Sequence, residues 1–575
     1  MTNRELANVF QTIADLLEIK GEVVFKIRAY RRASESLLSQ GREVQDLLAE
    51  GADLTQIQGI GKAIAEKIEE LENTGKLEYL EKLEQEVPVS LISMMQVPDM
   101  GPKKTALIWH ELDITTIDQL EAAARAGQLR DLPGLGEKSE AKIIDGIESL
   151  KRRSGRTLLG EALPIAQELI RYFKNIEGVK QVEAAGSLRR MRATVGDIDI
   201  LVAAEDSTQI MDSFVNRADV VRVLGKGQTK ASVEFTNGMR AQVWVHLPDR
   251  YGTALQYATG SKDHNVRLRE LALSKGLSLS EHALARNDGT EILCAEERQV
   301  YEALGIPWIP PELREDRGEI QAAIENRLPI QLKRDQIIAE LHTHSTWSDG
   351  KVTIREMVQA AIDRGYRVLA ITDHSHGLGI VQGMHPEDII AQRQEIDLVQ
   401  GEFGDRILIL QGAEVEIKAD GSLDYTDDIL RTLDIVIASL HVSLRQPRAQ
   451  VTARLINTIQ NPNVDIIGHP TGRLLPDREG ADLDMEAVLK AAAESGVCLE
   501  INAHPKRLDL EDIYARRAVE LGIPITINTD AHQPDNLDLI VFGIATARRG
   551  WVEPKDVINT WAPEKLTTWL KQRGN

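Results

Sequence analysis

Apolar residues at Leu6, Val9, Phe10, Ile13, Leu16 and Leu17 recur at three- and four-residue spacing, which predicts an amphipathic helix. The same pattern, punctuated by glycines, runs through residues 1–150 and predicts an all-helical region. The period then changes. VEAAGSL, GDIDILVAA and SVEFTNGMRAQVWVH predict strands mixed with helices in the middle of the chain. Over the last third, short apolar runs alternate with helical patterns. The runs are Ile337–Leu341, Val368–Thr372, Ile407–Leu410, Ile435–Leu440, Val464–Ile467, Val497–Ile501 and Ile523–Ile527. Seven strand–helix alternations predict a parallel α/β barrel. Between these parts PWIPPELREDRGE, residues 307–319, is rich in proline and charge and reads as a linker.

At 575 residues, with 42% apolar and 27% charged side chains, the chain suits several domains with sizeable cores. No apolar run reaches the length of a membrane span, and the opening MTNRELANVF lacks the basic-then-apolar order of a signal peptide. The only cysteines are Cys294 and Cys498, which excludes a disulfide framework and a cysteine-based zinc finger, so a reducing cytoplasm is expected. A net charge of −21 argues against a nucleic-acid partner until its distribution is considered. Residues 151–192 carry ten basic and four acidic side chains, a local basic strip. Gripping phosphates at a few points requires no more than that.

Three short glycine hairpins recur in the helical third: Ile57–Gly61, Val97–Gly101 and Leu132–Gly136, each opening a helix with a lysine near its start. Gly59, Gly61, Gly101, Gly134 and Gly136 let backbone N–H groups approach a phosphate, with the helix dipole helping. They resemble helix–hairpin–helix motifs, which hold the DNA backbone without reading sequence.

Next comes Gly186-Ser187, then Gly196-Asp197-Ile198-Asp199. In a strand, residues two apart share a face, so Asp197 and Asp199 are placed to share metal ions. A paired carboxylate beside a Gly-Ser phosphate turn and Arg189, Arg190 and Arg192 suits two-metal nucleotidyl transfer with Mg²⁺. Residues 1–315 resemble a family X DNA polymerase, the group of polymerase beta. The resemblance implies a lyase-like helical domain with the first hairpin (1–85) and a helical DNA-binding region with the other two (86–150). It further implies an α+β nucleotidyltransferase palm (151–250) and a thumb (251–315). It assigns nucleotide binding to Gly186, Ser187, Arg190, Tyr257, Gly260, Asn265 and Arg269, and makes Lys67 the amine that removes a 5′-deoxyribose phosphate. The pattern breaks where the third palm carboxylate should stand. The chain reads Ala241-Gln242-Val243-Trp244, with Gln242 for the aspartate and Trp244 for an arginine, and Ala258 replaces a phenylalanine of the sugar pocket. A glutamine offers a metal no negative charge and accepts no proton. Loss of a general base alone costs roughly 10²–10⁴ in rate, so a weak or inactive polymerase core is expected.

Nine of the thirteen histidines lie in the last 245 residues, and they cluster where the runs end. His342, His344, His374, His441, His469 and His532, with Asp349, Glu414 and Asp530, all follow predicted strands. Side chains at the C-terminal ends of parallel barrel strands converge on one face, where without metal they would repel or stay unsatisfied. This region resembles a PHP domain, a distorted seven-stranded barrel with up to three metals. All nine of that family's ligand positions are filled, and Glu340 stands where aspartate is frequent. A 316–335 linker and a 336–575 metallo-phosphoesterase domain complete the expected layout. Nitrogen and carboxylate donors suit Mn²⁺ or Zn²⁺. Asn502, Lys506 and Arg507 are placed to hold a substrate phosphate. The two resemblances together imply a DNA repair protein acting on gapped, nicked or 3′-end DNA and on nucleotides. The barrel would trim 3′ ends and possess abasic-site cleavage as a secondary activity. Two alternatives stand beside it: a fully active gap-filling polymerase with a proofreading nuclease, and a small-molecule phosphatase.

Overall fold

The computed structural model describes all residues except 41, 98–99, 153–155, 378, 380–381 and 574–575. They form two compact units, Met1–Gly155 and Arg156–Asn575.

The first unit is helical, as its periodicity predicts. Helix Asn3–Lys20 starts at a capping box between Thr2 and Glu5 and stops at Gly21, whose positive φ of 80° a larger residue would resist. Leu6, Phe10, Ile13 and Leu17 face a core shared with Leu37, Leu54 and Ile68. One backbone hydrogen bond recurs at the three hairpins. The amides of Ile60, Met100 and Leu135 each donate to the carbonyl three residues back, at 3.0 Å in every case. Gly61 and Gly101 then cap helices Lys62–Thr74 and Pro102–Leu112, and Gly136 accepts from Ser139 and Glu140 at the head of helix Glu137–Arg152. Pro98 and Asp99 of the second hairpin lie outside the described residues.

The second unit begins with a five-stranded mixed sheet in the order Gln181–Ala184, Ile198–Ala203, Arg240–His246, Lys230–Phe235, Val220–Lys226. The outer strand Val220–Lys226 escaped the sequence reading, because its exposed edge lacks a clean apolar alternation. Helices Tyr251–Thr259 and Lys262–Ser274 and a small three-stranded sheet follow. The last part is a run of seven parallel strands in sequential order: Ala339–Glu340, Val368–Ile371, Leu408–Glu416, Ile435–Ser439, Ile466–Gly468, Cys498–Asn502 and Ile525–Asn528. A parallel bridge between Thr343 and Ala531 brings the first and last strands together at one end, so the barrel is nearly closed. Each predicted apolar run overlaps one of these strands.

The 307–319 stretch departs from its expected character as a linker. Arg314 and Glu319 are fully buried, and short helices occupy Pro311–Leu313 and Glu319–Ile324. Its charges are structural rather than solvating. Arg549 sits at the centre. It donates to the Arg190 carbonyl at 2.8 Å and to Glu315 at 2.9 Å, and pairs with Asp512 at 2.7 Å. Glu315 also accepts from Arg190, and Asp512 from Arg317. The sheet domain, the segment after it and the barrel are therefore joined through one buried ion network.

Removing one member of such a network leaves carboxylates uncompensated. Arg549→Met should lower the stability of this unit by about 3–5 kcal/mol, read as a drop in thermal midpoint, and Arg549→Lys should recover part of it. An unchanged midpoint in Arg549→Met would remove the network from the account.

Candidate metal centre and nucleotide face

Glu414, at the inner end of strand Leu408–Glu416, lies among five imidazoles. Its oxygens are 3.3 Å from His342 Nε2, 3.6 Å from His344 Nε2, 3.0 Å from His374 Nδ1, 3.3 Å from His441 Nε2 and 2.9 Å from His469 Nε2. Asp530 lies 3.0 Å from His344 Nε2, and Asp349 lies 3.2 Å from His532 Nε2. Eight of the nine expected ligands fall into three groups able to hold an ion: His344, Asp349, His374 and His532; His342, His344, Glu414 and Asp530; His374, Glu414 and His441. His469 is outside these groups but lies 2.9 Å from Glu414, with its ring against those of His342 and His441.

The donors fit metal ions on their own chemistry. His342 Nε2, both ring nitrogens of His344 and His469, His374 Nδ1, both oxygens of Glu414 and Asp530 Oδ1 are buried without a hydrogen-bond partner among the described residues. Buried polar atoms are rarely left so. Backbone strain accompanies them: His469 and Asp530 have φ of 27° and 54°, unusual for residues with a side chain.

Further carboxylates, of which the sequence pointed only to Glu340, surround these ligands. Glu500 accepts from His342 Nδ1 at 2.8 Å and from the His469 amide at 2.8 Å, and Glu416 accepts from His441 Nδ1 at 2.7 Å. Each acceptor fixes the proton on Nδ1 and turns Nε2 inward. Glu340 accepts from Thr529 and the His342 amide, and burial pushes its carboxyl up to about 7. A charged residue inside an apolar strand run, as in Leu499-Glu500-Ile501, was the available sign.

Of the expected phosphate-holding residues, Asn502 is fully buried and donates to Asp530 and Glu500, so it orients a ligand. Lys506 is exposed. Arg507 Nε lies 3.7 Å from Asp530, and its Nη1 is buried without a partner.

In the sheet domain, Asp199 is the second residue of strand Ile198–Ala203 and Gly186 packs directly on its carboxylate with a φ of 61°, so only glycine fits there. Ser187 follows in the short turn of helix Gly186–Arg189. Burial, then the neighbouring Asp197, raises the Asp199 carboxyl to about 6. Parallel pairing sets Gln242 directly beside Asp199, and Trp244 beside Leu201. The other expected nucleotide residues are engaged within the fold. Arg190 is held by Glu315 and the Thr259 carbonyl. Asn265 donates to the Tyr257 carbonyl at 2.7 Å and crowds Gly260, and Arg269 donates to the Asn265 carbonyl. In the helical unit, Lys67 Nζ lies 5.1 Å from the Tyr79 ring centroid, with Lys26 Nζ 5.5 Å from the same ring.

Comparison with known proteins decides the lineage. The chain is 37% identical over 575 residues, the full length of both, to the DNA polymerase/3′-5′ exonuclease PolX of Bacillus subtilis (strain 168). The chain belongs to the PolX family. Family profiles agree along it: a helix-hairpin-helix domain at residues 1–77, a SAM-like helix-hairpin-helix tandem at 91–149, the DNA polymerase beta thumb at 254–315 and a PHP domain at 340–504. The barrel part also resembles a probable phosphatase of Thermoanaerobacter sp. (strain X514), 32% identical over 41% of this chain and 96% of that protein. A probable phosphatase of Shewanella oneidensis is 33% identical over 42% of this chain and 94% of its own. Among the described residues of this PolX chain, no helix is long and apolar enough to cross a membrane.

Ion binding to this centre should release protons. Burial disfavours the charged imidazoles, but Glu414 and Glu416 outweigh it at His441, and Asp349 and Asp530 do so at His532, raising each to about 9. Both are therefore protonated in the ion-free protein at pH 7 and must lose that proton to ligate. Titration calorimetry with Mn²⁺ in buffers of different ionisation enthalpy should show proton release at pH 7 and affinity rising towards pH 9. Equal heats in all buffers would contradict this.

Proposed function

We propose that this chain acts on DNA ends, hydrolysing the 3′-terminal phosphodiester in the barrel and binding nucleotide on the palm face with little extension. The observation that carries the reading is the set of buried, unpartnered imidazole and carboxylate atoms around Glu414, in a PolX chain with three matching backbone hairpins upstream.

His342, His344, Asp349, His374, Glu414, His441, His469, Asp530 and His532 would hold the ions, with Mn²⁺ or Zn²⁺ favoured by the nitrogen and carboxylate donors. Ions bound there supply Lewis-acid activation of water and of the phosphoryl oxygens. The protein's own contribution is placement. Glu500 and Glu416 hold two imidazoles in one tautomer, Asn502 holds Asp530, and Arg507 offers an unpartnered guanidinium nitrogen beside Asp530 for a phosphate oxygen. Lys506 adds exposed positive charge. The hairpins grip the DNA backbone without sequence preference.

On the palm, Asp197 and Asp199 would hold a Mg²⁺ that arrives with nucleotide, since the triphosphate brings most of the anionic ligands. The primer-side position depends on all three carboxylates, and Gln242 removes one. A single gapped duplex, scored for both 3′ resection and primer extension, tests the two halves together. Resection should appear with Mn²⁺ or Zn²⁺, vanish in His342→Ala/His344→Ala and persist in Asp197→Ala. Extension should be negligible and partly restored by Gln242→Asp. Efficient extension in Mg²⁺ that Asp197→Ala abolishes would show that a glutamine suffices; resection that survives loss of both histidines would end the nuclease assignment.

A small-molecule phosphatase reading draws on the barrel's resemblance to probable phosphatases. The upstream hairpins favour DNA over it. Lys67, with Lys26 on the same tyrosine face, is proposed as the lyase amine. Borohydride should trap it on a 5′-abasic phosphate, and an undiminished adduct with Lys67→Ala would assign the chemistry to another amine.

A further inference from the structure

The segment that carries Lys506 and Arg507 is not held by the barrel alone. It leaves strand Cys498–Asn502 and turns back at once, with the Arg507 amide donating to the His504 carbonyl at 2.7 Å. On its inner side Arg473 donates to the Arg507 and Leu508 carbonyls, both at 2.6 Å, and the Leu475 amide donates to the Lys506 carbonyl at 2.6 Å. On its outer side lies the palm. Leu508 is buried in the palm's own hydrophobic cluster, with Leu159, Ala162, Val195 and Phe542. Pro505, at the crest of the turn, packs on Gly160 in the first turn of helix Leu159–Lys174. A Cβ at position 160 would lie 2.6 Å from both Cβ and Cγ of Pro505.

Position 160 has no positive φ to require glycine, and glycine weakens a helix. What requires it is the proline ring of the phosphate-holding turn. Carbon atoms in ordinary contact sit about 3.5–4.0 Å apart, so a side chain there must push the turn away from the palm helix by about 1 Å. That displacement disturbs the barrel side of the turn, where Arg473 and Leu475 hold three successive carbonyls.

We propose that Gly160, on the nucleotidyltransferase side, is a positioning residue of the nuclease: its missing side chain seats the Pro505 turn and thereby aims Lys506 and Arg507 at the phosphate beside the metal centre. This rests on the nuclease reading above. It makes the palm's first helix a part of the nuclease's substrate subsite, through a contact that neither half forms alone.

The test uses the full chain with Gly160→Ala and Gly160→Val. Three quantities are read: bound metal per chain, the rate of 3′ resection, and the affinity of the ion-free protein for a dithymidylate with a phosphorothioate linkage. The double variant Lys506→Ala/Arg507→Ala sets the baseline for that affinity. Metal content should stay at the parent value. A displacement of about 1 Å should reduce kcat/KM by on the order of 10²-fold, and dinucleotide affinity should fall towards the baseline. Pro505→Gly, which deletes both contacted atoms, should restore affinity and rate in the Gly160→Ala background. Should Gly160→Val fail to fold, Gly160→Ala and its rescue decide the matter. Unchanged affinity and rate in Gly160→Ala, loss of bound metal, or no rescue by Pro505→Gly would each overturn the proposal. If the parent protein shows no resection, the nuclease reading falls, while the dinucleotide affinities still report whether Gly160 sets the turn.

Discussion

A single buried carboxylate organises the barrel end. Glu414 has five imidazole nitrogens within 3.6 Å and, among the described residues, no other hydrogen-bond donor on either oxygen. A charge in that position is tolerable only with cations around it, whether protonated histidines or metal ions. Burial opposes its ionisation, yet the surrounding imidazoles hold its carboxyl well below the usual range. Glu500 and Glu416 orient two of the imidazoles, His342 and His441, that face this anion.

Much of this was legible in the sequence because barrel geometry is local in its outcome. A parallel strand that ends in histidine or aspartate delivers that side chain to the common face whichever strand neighbours it. The same rule explains the seven apolar runs. What the sequence did not disclose depends on partners far along the chain. The sequence does not say what Glu500 and Glu416 face, and only the fold shows that they meet His342 and His441. Residues 307–319 carried the composition of a linker, but Glu315 and Arg314 are buried by Arg549 and Glu297, the first from more than two hundred residues away. Composition cannot distinguish a solvated charge from one whose counter-ion arrives by topology. Likewise, Arg190 and Asn265 matched nucleotide positions by motif, and their bonds to Glu315, Thr259 and Tyr257 became visible only in three dimensions.

The two carboxylate sites of this unit differ in their electrostatic completeness. Around Glu414, every anion has several cationic or metal-binding neighbours. On the palm, parallel register brings Gln242, a neutral amide, beside Asp199, whose carboxyl is already raised to about 6 by burial and Asp197. A third carboxylate would add repulsion there in the ion-free state and affinity in the loaded one. Its absence leaves a face suited to a cation that brings its own anionic ligands. Both sites nonetheless sit in one compact unit, braced by Arg549 and by the packing of the Pro505 turn on the palm helix.

Glu414 belongs to two of the three ligand groups, while the group of His344, Asp349, His374 and His532 does not contain it. The most direct test of its central role is the metal content of purified Glu414→Gln, measured by mass spectrometry after saturation with Mn²⁺ and compared with the parent chain. Loss of the ions of both Glu414-containing groups, with the ion of the Asp349 group retained and the fold intact, is the expected result. Metal stoichiometry equal to that of the parent chain would contradict the account.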